Sequence, residues 1–83
     1  MKEGEMDNNL ADCLLKFMQY MEGKLITREI SGWKGWDDRN QIPDAELMVR
    51  LKKNLEERDY VDVANLSMFL WYRNRLFTLP VSR

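Results

Sequence analysis

The chain has 83 residues, with 13 Lys+Arg against 14 Asp+Glu, no His and a single Cys. Such a length supports one domain. With no His and only Cys13, one chain can build no Cys/His zinc site, no Ser-His-Asp or Cys-His nucleophile pair and no disulfide framework. The net charge of −1 gives no global attraction to nucleic acid, and the acidic N-terminus argues against DNA as a partner.

Hydrophobic residues make up 45% and charged residues 33%, a balance that folds rather than stays disordered. Four Gly and two Pro favour helices over a many-turned β fold. No apolar run is long enough for a transmembrane helix, so no membrane partner is expected. The N-terminus sets Lys2 against Glu3, Glu5, Asp7 and Asp12, the opposite of a signal peptide, and a cytoplasmic location is expected. Nothing in the composition implies a cofactor.

A first helix is predicted over about 8–29, with Leu10, Cys13, Leu14, Phe17, Met18, Met21 and Leu25 on one apolar stripe. Asp7, Asn8 or Asn9 can cap it. Cys13 reads as a small core residue rather than a reactive thiol. Residues 30–43 form a loop holding Trp33 and Trp36 beside Lys34 and Arg39. Two readings stand for the tryptophans. They plug the open end of a bundle, or they offer a stacking platform next to cations.

The second helix is predicted over 44–58, opened by Pro43 and capped near Asp44, with Leu47, Met48, Leu51 and Leu55 on its apolar face. Arg50, Lys52 and Lys53 lie largely off that face. The third helix, over 59–76, starts at a plausible Asp59 cap with Asp62 in its first turn. Val61, Val63, Ala64, Leu66, Met68, Phe69, Leu70, Trp71 and Tyr72 cover nearly every side of it, which predicts a helix surrounded by protein. Residues 63–83 carry net +3 and residues 1–62 net −4.

The fold expectation is therefore all-α: a three-helix protomer that completes a bundle by homo-oligomerisation. Three short helices have too little interior for six Met, three Trp, three Tyr and three Phe.

Four pieces in order resemble a shortened MazG-type all-α nucleotide pyrophosphohydrolase. Gly32-Trp33-Lys34-Gly35-Trp36 is similar to the family's glycine/tryptophan loop. Glu46-Leu47-Met48-Val49-Arg50-Leu51 is similar to the opening of its catalytic helix. Lys53 to Glu57 lies where the family keeps E-E-x-x-E, and Asp59 to Asn65 where it keeps E-x-x-D-V-A-N. The resemblance spans about half of the chain, and Asp62-Val63-Ala64-Asn65 before a Met-containing apolar helix is its most specific part.

In that family the carboxylates of both motifs hold Mg²⁺, which takes oxygen ligands from acids, water and phosphate. Here Lys53 and Asn54 stand at the first two positions, leaving Glu57 and Asp62 as residual metal candidates and Asp59 as a shortened Glu. The resemblance thus implies a catalytically silent relative that meets phosphate with cations. Arg50, Lys53, Arg58 and Arg73 are the candidates for phosphate, Trp33 or Trp36 for a base, with Lys34 and Arg39 beside them, and Asn65 for a base edge. For Asn65 a structural bond to another helix or subunit is the competing reading.

Three functions follow as expectations. One is a nucleotide or nucleotide-signal binding protein, of the kind small phage proteins use to sequester host immune signalling nucleotides. A second is a helical interaction module or inhibitor of a host protein, built on Trp, Met and Arg. The third is a residual Mg²⁺-dependent hydrolase using Glu56, Glu57, Asp59 and Asp62.

Overall fold

The structure is a computed structural model and describes residues 6–75. Leu76 of the expected third helix, Arg83 of the basic end, and Lys2, Glu3 and Glu5 lie outside the described residues. Three helices, α1 (Asn8–Ile30), α2 (Asp44–Glu56) and α3 (Tyr60–Asn74), make up the regular structure, and the described residues contain no strand. The all-α expectation holds at that level.

Local chemistry sets each helix end. The Asp7 carboxylate accepts from the Leu10 N–H at 3.1 Å and caps α1. The other end closes on Gly32, at φ 84, where the Gly32 and Trp33 N–H groups donate to Glu29 and Arg28 carbonyls at 3.0 Å each. That is a Schellman closure with glycine in the left-handed position. Helix α1 runs through Gly23 without interruption.

Helix α2 begins differently from the expected Asp44 cap. Pro43 occupies the cap position without a side-chain bond, and Asp44 is the first helical residue. Its carboxylate holds Arg39 at 3.1 Å and Arg73 at 3.0 Å instead. Helix α2 ends at Glu56, two residues before the expected end, because Arg58 turns left-handed at φ 61. The Arg58 and Asp59 N–H groups then close on Leu55 and Asn54 carbonyls. Asp59 reverses the chain and caps α3 by accepting from the Asp62 N–H at 3.1 Å.

Helix α3 packs on both α1 and α2. Leu66 and Phe69 of α3 meet Leu47 of α2 and Ile42 of the loop in the core, and Leu25, Trp33, Trp36, Leu51, Met68 and Leu70 pack around them. Most of the apolar girdle of α3 is thus met inside the protomer, with Trp71 and Tyr60 among its exposed large residues.

Much of the bare apolar surface lies on α1, which buries no residue completely, although Met48, Val49 and Leu55 of α2 are exposed as well. Leu10, Leu14, Leu15 and Met18 are exposed, and so is Cys13, which corrects its reading as a core residue. The principal extents are 45 × 30 × 25 Å and the radius of gyration is 15.1 Å. A compact chain of this length would have a radius of about 12 Å. Helix α1, about 35 Å long, runs on past the small core.

Candidate ligand site

Three hollows have Arg28 of α1 in their lining, one of them an open groove along α1 that also takes Lys24 and Asp62; the other two concern a ligand. The first is a recess of about 390 Å³ lined by Arg28, by Arg50, Lys53 and Asn54 of α2, by Glu57 after it, and by Asp62 of α3. Three cations there face two carboxylates. Arg50 Nη2 pairs with Glu46 Oε2 at 2.7 Å along its own helix. Arg28 Nη2 lies 3.7 Å from Asp62 Oδ2. Lys53 is exposed and enters no ion pair among the described residues.

The second hollow is an apolar slot of about 150 Å³ lined by Leu25, Arg28, Glu29, Trp33, Trp36, Met68 and Phe69. That volume matches an engineered apolar cavity that admits benzene. Trp33 lies against Phe69 with ring centroids 5.8 Å apart, and the Arg28 guanidinium sits 4.9 Å over the Trp33 ring. Trp36 contacts Phe69 at 5.3 Å and Tyr72 at 5.0 Å. Both tryptophans therefore pack on α3, and both border the slot.

A charged cluster behind the recess fixes α1 against the start of α3. Lys24 Nζ lies 2.6 Å from Asp59 Oδ2 and 3.3 Å from Asp62 Oδ2. The hydrogen bond that Lys24 donates to Asp59 raises the Lys24 pKa above its ordinary value, and burial opposes part of that rise. The same bond, helped by the Asp62 backbone N–H, holds Asp59 below the usual carboxylate range. Asp62 Oδ1 and Asn65 Oδ1 are buried without a hydrogen-bond partner.

The residues read from the sequence as ligand-binding fall into separate groups. Arg50 and Lys53 share the recess with Glu57 and Asp62, so the two residual carboxylates line one hollow. No group of three or more Asp, Glu, Cys or His among the described residues is placed to hold a metal ion. Lys34 lies with Trp33, Trp36 and Asp37 around a further hollow at the loop, outside the recess of Arg50 and Lys53. Arg58 is exposed in its left-handed turn.

Arg73 has a different task from the expected phosphate contact. It is 7% exposed, and its guanidinium donates to the carbonyls of Gly35, Trp36 and Ile42 at 2.8, 2.8 and 2.6 Å, beside its pair with Asp44. Every face of it is engaged in holding the loop. Arg39 bonds Asp44 and Asn74 on the outside of the same junction. Asn65 is 1% exposed, and its Nδ2 donates to the Met21 carbonyl at 3.3 Å, a structural bond between α3 and α1.

Arg28, at the meeting of both hollows, and Lys24 were not singled out by sequence reasoning. A signal was present. Lys24 and Arg28 stand four apart on α1, and Asp59 and Asp62 three apart on α3, the spacings that put like groups on one face.

No protein-family model, curated protein or solved structure matches this chain.

Proposed function

We propose that this chain binds a small nucleotide-type ligand and holds it without hydrolysis. The observation behind this reading is that Arg28 lines both the cationic recess and the apolar slot. A ligand with one flat apolar ring and one anionic group can occupy both at once. The ring enters the slot against Trp33 and Met68. The phosphate meets Arg28, Arg50 and Lys53, the last without an ion pair among the described residues, as cationic side chains meet phosphate in general.

Retention rather than turnover fits the same residues. Lys53 and Arg28 bring positive charge to the two carboxylates, Glu57 and Asp62, that remain of a Mg²⁺ set. A MazG-like ancestry is part of this proposal, and removing host immune signalling nucleotides is the use that ancestry would suit. Trp33 gives a direct readout, since ligand in the slot changes the surroundings of its ring. Quenching of tryptophan fluorescence by linear or cyclic nucleotides, with EDTA present, is the expected result. Unchanged fluorescence across the panel, with no heat of binding, would remove the reading.

A second reading has its own support. The exposed apolar length of α1 fits a helical interaction module, for a host protein or for another copy of the chain.

A further inference from the structure

Two neighbouring residues of α1 carry the charge at the apolar slot. Arg28 is shared between the slot and the cationic recess, whereas Glu29 is shared between the slot and the hollow at the tryptophan loop. The other slot residues carry aliphatic, aromatic or thioether side chains. Arg28 is already engaged, 4.9 Å over the Trp33 ring and 3.7 Å from Asp62 Oδ2. The Glu29 side chain is exposed and makes no hydrogen bond or ion pair with a described residue. Lys34, also exposed, lines the loop hollow together with Glu29. Asp37, the other acid of that hollow, does not line the slot.

We infer that the base taken by the slot is guanine, selected by the Glu29 carboxylate. This inference deepens the nucleotide reading and rests on it. An ionised carboxylate only accepts hydrogen bonds, and its two oxygens suit two parallel donors. Guanine sets the N1–H and the N2 amino group side by side on one edge, with the O6 acceptor next to them. Adenine and cytosine each offer one amino donor beside a ring nitrogen that accepts, and uracil offers one N–H between two carbonyls. Guanine alone satisfies both oxygens of Glu29, and its O6 then faces the side of the Lys34 ammonium.

The order of the hollows gives the same orientation. In a purine nucleotide the sugar hangs from the five-membered ring, and the edge that pairs lies on the six-membered ring. With the phosphate directed past Arg28 into the recess, that edge points away from it, toward the loop hollow that Glu29 shares. An apolar slot supplies affinity for any flat ring, and its few polar groups decide which ring is held.

Calorimetric titration of the full chain, with EDTA present, tests this with the linear and cyclic monophosphates of guanosine, inosine, adenosine, cytidine and uridine. The guanine forms are expected to bind about tenfold tighter than the adenine forms. The inosine forms, which lack the amino group, should fall between them. Glu29→Gln should bring guanine and adenine close to equal affinity, with the melting temperature unchanged because the side chain is exposed. Equal binding of all bases, tighter binding of another base, or a guanine preference that survives both Glu29→Gln and Glu29→Ala would overturn the inference and leave the nucleotide reading standing. Absence of binding in every case would remove both.

Discussion

Arg73, near the end of α3, donates to the carbonyl oxygen of Gly35 at 2.8 Å and so ties the tryptophan loop to the third helix. The same guanidinium takes the Trp36 and Ile42 carbonyls and the Asp44 carboxylate. A loop of this length has no ladder of its own, and its buried carbonyls need outside donors. Arg supplies several in a fixed plane, which Lys does not. Arg73→Lys should therefore lower stability by about 2–4 kcal/mol. Urea unfolding measures this, and a midpoint equal to wild type would contradict the role.

Gly35 is constrained from two directions. Its φ of 97° belongs to the left-handed region, and an added Cβ would stand 3.0 Å from Gln41 Cβ and 3.1 Å from Ile42 Cγ1. Gly35→Ala should cost about 1–3 kcal/mol. It should also disturb Trp36, whose near-ultraviolet dichroism would weaken. An unchanged aromatic spectrum and melting point would count against this account of the loop.

Arg58 offers the reverse case. It holds a left-handed conformation at φ 61 between α2 and Asp59, and it is exposed. A side chain there costs about 1 kcal/mol relative to glycine. Arg58→Gly should raise the thermal midpoint by a few degrees, for a gain of up to about 1 kcal/mol. A lower midpoint would show that the Arg58 side chain makes a stabilising contact.

The ion pairs give stability a pH dependence with a defined sign. The bond to Arg73, with help from Arg39, holds Asp44 below its ordinary value of 3.8, and Lys24 does the same for Asp59. A carboxyl with a depressed folded-state pKa contributes stability above its unfolded value, lost as pH falls through the lower one. Lys24, raised above 10.5, contributes fully below that value and loses its part as pH rises past it. Stability should thus be flat through neutral pH and fall on the acid side below about 4. In denaturant midpoints measured against pH, Asp44→Asn or Asp59→Asn should flatten the acid limb and lower the plateau. An acid limb identical to wild type in both variants would refute the assignment.

Much of the architecture was legible because it rests on local rules. Asp7 before an apolar 3.6-residue stripe marks a helix start, and Pro43 marks another. The short α2 was harder to bound, since no Gly announces its end and Arg58 takes the left-handed position instead. Wrapping of α3 was also readable, but its cover turned out to come from the same chain: Leu47, Ile42 and the tryptophans fill around Leu66 and Phe69. Periodicity shows that a face is apolar without showing what meets it.

The site was less legible for a related reason. A list of Arg and Lys residues does not tell a pin from a ligand contact, because both need the same side chain. Arg73 is buried under carbonyls brought from a loop more than thirty residues earlier in sequence, a pairing that only the tertiary fold creates. Lys53 was singled out by its place in a degenerate acidic motif and Arg50 by the run just before it, and the fold puts both in one recess. Arg28 belongs to no motif, and only the fold brings it into the lining of both the recess and the slot.

The central claim is that the hollows joined at Arg28 hold a nucleotide through cations rather than metal. Titration calorimetry of the full chain against linear and cyclic nucleotides, with EDTA throughout, tests it most directly. The account predicts saturable binding of at least one nucleotide, unaffected by added Mg²⁺ and weakened tenfold or more by Lys53→Glu or Arg28→Ala, about 1.4 kcal/mol or greater. Absence of binding by every nucleotide, or binding that appears only with Mg²⁺, would contradict it.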